Sequence, residues 1–209
     1  MKKLVGILLI LASFAILGTI FLLETQEKDV AVAADHVTAP TAVPHPEPEE
    51  SAPHTLSSAY QAAWESTQEE GDDLRLLGAS TQWQQASEEA ILKEAGNWVF
   101  TFYAPSKREE IDVLVKPQGA RIVNRSRVYK VRDGLSDGQW QEGPRDALLI
   151  FLAQGGREFL THHPTATVNV HLSSNQSQAV WTILATDIGA ESLSVQVEAT
   201  TNRFLSVTG

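Results

Sequence analysis

The chain contains no cysteine among its 209 residues. That absence excludes a disulfide framework, thiolate zinc sites, iron–sulfur ligation and a cysteine nucleophile. Positive charge is scarce: 16 Lys and Arg stand against 26 Asp and Glu, for a net −10. This balance argues against a general nucleic-acid binder, because phosphate binding needs net or patchy positive charge. A Walker loop, a dinucleotide fingerprint and the calcium pattern D-x-D-x-D-G are also missing. Gly134-Leu135-Ser136-Asp137-Gly138 matches the G-x-S-x-G spacing of a nucleophile elbow, but it sits among turn formers with no strand–turn–helix context and reads as a loop. With 43% hydrophobic residues the chain still has enough apolar surface for a core, in one or two small domains.

What is present begins with Leu4–Leu23, an uncharged run interrupted only by Ser13 and Thr19. At about 1.5 Å per residue a helix of this length spans roughly 30 Å, one bilayer core. Lys2 and Lys3 favour a cytoplasmic N-terminus, which puts everything after the run on the far side of the membrane. The competing reading is a cleaved signal peptide, supported by the small residues Ala31-Val32-Ala33-Ala34. A secretory apolar core usually has about 7–15 residues, so the length favours an uncleaved anchor over 1–23. Either reading exports the remainder.

Residues 24–55 hold Pro40, Pro44, Pro46, Pro48 and Pro53 and few large apolar side chains. Lys28 stands there against Glu24, Glu27, Asp29, Asp35, Glu47, Glu49 and Glu50, a balance of −6. Such a segment cannot bury enough surface to offset its ordering entropy, so it is expected to be a disordered, extended linker. His36, His45 and His54 lie within it too far apart for a metal tract.

From Leu56 onward the composition is globular, and the expected fold class is α+β. The first half, 56–132, starts with a helix over Leu56–Glu69, capped by Ser57 or Ser58, in which Tyr60, Ala63, Trp64 and Thr67 share a stripe. A short strand is expected at Leu74–Leu77 and a second helix at Gln84–Glu94. Strands follow at Trp98–Tyr103, Ile111–Val115 and Arg121–Val131, with Pro117-Gln118-Gly119 as a turn. The second half, 133–209, repeats the order: a helix at Asp146–Thr161, weakened by Gly155-Gly156, then strands at Thr167–Leu172, Ala179–Thr186, Leu193–Ala199 and Phe204–Val207.

The halves overlay numerically. Ile111, Val113, Val115, Arg121, Ile122 and Val123 shifted by 82 give Leu193, Val195, Val197, Arg203, Phe204 and Leu205. Trp98 and Phe100 shifted by 83 give Trp181 and Ile183. The Gln84–Glu94 helix has no counterpart and reads as an insertion in the first copy.

An Ala-rich helix, a strand and a Trp-led hairpin with a V-x-V turn resemble the PepSY domain of peptidase propeptides and membrane-anchored envelope proteins. The matching residues are Trp98-Val99-Phe100 with Val113-Leu114-Val115-Lys116-Pro117-Gln118-Gly119. In the second half they are Trp181-Thr182-Ile183 with Val195-Gln196-Val197-Glu198-Ala199-Thr200-Thr201-Asn202. The resemblance implies two helix-on-antiparallel-sheet halves forming a non-catalytic module that binds or restrains another envelope protein, classically a peptidase. Alternatives are a lipid or cell-wall ligand-binding module and a hydrolase with a cleft between the halves. No cofactor is implied.

Candidate sites are few. His162-His163 with His171 is the histidine cluster of the domain, but adjacent histidines point differently, and a helix C-terminus explains them through the dipole. Asp72-Asp73, Glu88-Glu89 and Glu109-Glu110 read as solvated charge. Lys116, Arg121, Arg125, Arg127, Lys130 and Arg132 place six cations over 17 positions with no acid between them. On a regular strand Arg121, Arg125, Arg127 and Tyr129 share a face. The strip reads either as a charge-protected edge strand or as a docking site for an acidic partner, an anionic wall polymer or lipid head groups. Trp64, Trp98 and Trp181 are expected in the core, while Trp83 and Trp140 lie near loops, with Trp140 a candidate partner contact.

Overall fold

The computed structural model describes residues 55–135, 138–140, 143–175 and 178–209. The apolar run Leu4–Leu23 and the linker up to residue 54 lie outside the described residues. Among those described, no helix is long and apolar enough to cross a membrane.

The first elements are α1 (Leu56–Ser66), a 3₁₀ turn at Gln68–Glu70, β1 (Arg75–Trp83), α2 (Glu88–Leu92), β2 (Trp98–Ala104), β3 (Glu109–Lys116) and β4 (Gly119–Arg127). Then come α3 (Arg145–Phe151), a π-helical turn at Leu152–Gly156, α4 (Arg157–His162), β5 (Thr167–Asn175), β6 (Gln178–Thr186), β7 (Ser192–Glu198) and β8 (Arg203–Thr208). The eight strands form one antiparallel sheet in the order β4-β3-β2-β1-β5-β6-β7-β8, symmetrical about the β1–β5 junction. The fold is α+β, with helices on one face of the sheet. Strands β1–β4 and β5–β8 are two meanders joined through their first strands.

Alternation explains which face packs. Trp98, Phe100 and Phe102 lie opposite Val115, Val113 and Ile111, and all six are fully buried. In the second meander Trp181 and Ile183 lie opposite Val197 and Val195, again fully buried. Shifts of 83 in β2 and 82 in β3 therefore bring structurally matching pairs together. The shift fails in β4 and β8. Pro117-Gln118 closes a two-residue turn, so that Lys116 pairs with Gly119, whereas four residues separate Glu198 from its partner Arg203. Arg121 faces Leu114 and Arg203 faces Glu198, so these arginines are not equivalents.

Helix α1 packs against β2, β3 and β4, whereas α3 packs against β6 and β7. Its N-cap is Thr55, not Ser57 or Ser58; Ser58 Oγ donates to the Thr55 carbonyl at 3.1 Å. The insertion between β1 and β2 contains α2, shorter than expected and capped by Ser87, whose side chain accepts from Ala90 N at 3.2 Å. In the second meander β5 turns directly into β6. The expected Asp146–Thr161 helix is broken at Gln154 and Gly155, where Gly155 has φ +103°, a conformation side-chain-bearing residues rarely adopt.

β1 is longer than the expected Leu74–Leu77. It continues through Gly78-Ala79-Ser80, which lies at the centre of the sheet, between β2 and β5. A Cβ on Gly78 would sit 2.5 Å from the Leu172 carbonyl oxygen, so the close approach of β1 to β5 requires glycine.

Candidate functional site

Arg121, Arg125 and Arg127 of the basic strip lie on β4, an edge strand, whereas Lys116 ends β3 and Lys130 and Arg132 follow β4. A bulge between Asp112 and Val113 places one extra residue, Val123, in β4. Arg121 therefore sits opposite Leu114 on the face away from the helices, whereas Arg125 sits opposite the core residue Ile111, on the helix side. The expected common face of Arg121, Arg125 and Arg127 is thus broken, because an inserted residue reverses side-chain parity.

Arg125 reaches Glu70, at the end of the α1 segment, and Lys107 Nζ reaches the other oxygen of the same carboxylate at 2.9 Å. Hydrogen bonding by Lys107 first, and then by Arg125, holds the Glu70 carboxyl below the usual range. This trio clasps the helix end to the β2–β3 hairpin. Lys116 and Arg121 line a shallow 220 Å³ groove with Leu114, Gln118, Gly119 and Ala120, at the opposite end of β4. The six cations are therefore distributed over the end of β3, both faces of β4 and the segment after it.

The segment after β4 is different. Val128 N donates to the Arg108 carbonyl at 2.9 Å, which pins the end of the strand. Beyond it Tyr129 is 94% and Val131 74% exposed. Arg132 Nε meets Glu110 at 3.1 Å with most of its side chain in solvent. Arg127 and Lys130 are exposed and have no ion-pair partner among the described residues. Arg127-Val128-Tyr129-Lys130-Val131-Arg132 thus presents an aromatic ring and an aliphatic side chain between three cations. Tyr129 belongs to the expected strip, and Val131 joins it between Lys130 and Arg132.

Trp140 is not a partner contact: it is 5% exposed and meets the Tyr60 ring edge-on at 4.7 Å. Trp83 is also buried, and its indole N–H donates to the Ala95 carbonyl at 2.8 Å. Trp83 ends the central strand β1 and pairs with Val168, whereas Trp140 is covered by the Tyr60 ring.

The histidines do not converge. His162 lies at the end of α4, with Nδ1 2.9 Å from the Glu158 carbonyl oxygen. The His163 ring lies tilted against Phe159 at 4.4 Å and sits between Asp187 at 3.3 Å and Glu191 at 3.2 Å. His171 is on β5, where burial pushes its pKa down. No group of three metal-ligating side chains forms among the described residues. An open groove of about 720 Å³ runs beside α4, lined by Phe159, His163, Glu191 and Leu193. It lies within the second meander, not between the two.

At least one member of each acid pair is held by a neighbour, Glu110 by Arg132. Glu88 receives two hydrogen bonds from Arg157, at 2.8 and 2.7 Å, and Asp73 accepts from Ser106 N at 2.8 Å. Gly134-Leu135 packs onto β1, where Leu135 N donates to the Leu76 carbonyl at 2.7 Å; Ser136 and Asp137 lie outside the described residues.

No family model matches the chain, and no curated protein matches it. A solved structure is similar over 78% of this chain and 95% of its own, at 13% identity and TM-score 0.47: that of a candidate lipoprotein from Clostridium difficile 630.

Proposed function

We propose that the chain is a non-catalytic, membrane-anchored module of the cell envelope, with Leu4–Leu23 as anchor, 24–55 as spacer and the eight-stranded domain outside the membrane. The domain docks an acidic envelope protein through Arg127, Tyr129, Lys130, Val131 and Arg132. The observation that carries this reading is the exposure of Tyr129 and Val131 between cations in a chain of net charge −10. A guarded edge needs only the charges; it gains nothing from a solvent-exposed aromatic ring and valine, which cost hydration and suit a contact with a partly apolar partner. The PepSY-like order of helix and strands supports a restraining role, with an envelope peptidase as the implied class of partner.

The test is binding of an acidic peptide, polyglutamate, to the native chain and to a variant carrying Arg127→Glu, Lys130→Glu and Tyr129→Ser. Binding to the native chain should fade with salt and be lost in the variant, while stability stays within about 1 kcal/mol per exposed charge. Equal, salt-insensitive binding by both would reduce the segment to a protected edge. Preference for anionic lipid vesicles over the peptide would replace the protein partner by a membrane surface.

A further inference from the structure

The two ends of the sheet are built differently. β4 carries Arg121, Arg125 and Arg127 and is covered on its inner face by α1. β8 reads Arg-Phe-Leu-Ser-Val-Thr, and α3 stops over β6 and β7, short of it. Its single charge, Arg203, is already neutralised by Glu198 at 3.1 Å. Phe204 and Val207 are 39% and 44% exposed, and Leu149 on α3 is 45% exposed. Asn202 Nδ2 donates to Asp146 at 2.8 Å, which brings that side of α3 to the start of β8. Leu149 is one helical turn beyond Asp146, on the same side of α3.

A bulge also controls parity here. Leu205 is the extra residue between Phe204, which faces Val197, and Ser206, which faces Gln196. As a result Phe204 and Val207, three positions apart, both lie on the helix side, opposite the core residues Val197 and Val195. An unbulged strand would separate them onto two faces.

We propose that β8 is a homodimer interface, in which two copies of this chain pair their β8 strands antiparallel about a two-fold axis between Leu205 and Ser206. In that register Phe204 of one copy lies opposite Val207 of the other, on the same face, and Arg203 lies opposite Thr208. No like charges meet, and each apolar residue finds an apolar partner. Self-pairing of β4 instead brings together two strands that each carry Arg121, Arg125 and Arg127 and no acid, so it is disfavoured by charge. Pairing at β8 joins the two sheets into one and leaves β4 and the Arg127–Arg132 segment at its two outer ends.

The absence of native cysteine makes single-thiol variants clean reporters. The full chain, purified in mild detergent and oxidised, should form a disulfide dimer as Leu205→Cys or Ser206→Cys, beside the axis. It should not do so as Thr208→Cys: the two copies of that residue lie about 17 Å apart at 3.4 Å per residue. A disulfide needs Cα atoms within about 7 Å. Val123→Cys, on the guarded edge, should also stay monomeric. A variant with Phe204→Lys and Val207→Lys should sediment as monomer while keeping the native circular dichroism. Salt separates this contact from the basic segment: dimerisation of two chains each carrying −10 strengthens with ionic strength, whereas acidic-peptide binding weakens. Equal crosslinking at all four positions, or none at 205 and 206, would overturn the proposal, whatever the fate of the docking segment.

Discussion

Trp98 and Trp181 occupy equivalent positions in the β2–β3 and β6–β7 hairpins, each opposite a valine, Val115 or Val197, and each fully buried. Neither indole N–H has an acceptor among the described residues, so both rings act by packing alone. Trp98→Ala and Trp181→Ala should each cost about 3–5 kcal/mol in denaturant unfolding, because each leaves a large cavity between helix and sheet. Replacement by Phe should cost much less, since no hydrogen bond is lost. Neutral alanine variants would show that the core is not centred on these rings.

Gly78 tests the junction of the two meanders. The Cβ of Gly78→Ala would approach the Leu172 backbone oxygen at 2.5 Å, and two central strands have no room to part. The expected loss is about 1–3 kcal/mol by overpacking, read as a lower denaturation midpoint. Gly119→Ala is the control for space: nothing lies within 4 Å of its added Cβ, and its loss should reflect only the φ of +133°.

The Glu70 clasp predicts a pH dependence at the acid end. Its folded pKa lies below the ordinary 4.5, so its contribution is present above that value and is lost as pH falls through the folded pKa. Glu70→Gln should flatten the stability profile below about pH 4.5 and leave it little changed at neutrality, where an accessible pair contributes about 0–1 kcal/mol. Lys107→Gln should remove part of the same effect. An unchanged acid limb would mean that the trio is not formed in solution.

His171 acts in a different window. Burial lowers its pKa below 6.5, so the unfolded chain binds a proton that the folded chain refuses. Its neutral, folded form carries no penalty above about pH 6.5, and stability should decline as pH falls from there towards the folded pKa. His171→Gln should abolish that decline while keeping the acid limb due to Glu70. A decline of equal size in the variant would assign the titration elsewhere.

Much of the fold is legible in the chain because side-chain periodicity is local. Trp98-Val99-Phe100 and Val113-Leu114-Val115 show their buried face without reference to any neighbour, and the recurrence of that pattern at Trp181 and Val195 marks the second meander. The same local rule ends the first strand at Leu77, since the small residues Gly78-Ala79-Ser80 show no apolar alternation, yet a close approach of two strands needs small residues. It also misplaces Trp140, whose loop context says nothing of the Tyr60 ring that covers it.

Composition and pattern by themselves determined the α+β class, the absence of thiol chemistry, the helix and strand order and the run of six cations. Only the tertiary structure decided that β1 and β5 meet at the centre, that β4 and β8 form the edges, and that Arg121 and Arg125 point to opposite faces. The reason is physical. Periodicity tells which residues of one strand share a face, but a single bulged residue reverses that parity, and bulges form from pairing with a neighbour chosen far away in sequence.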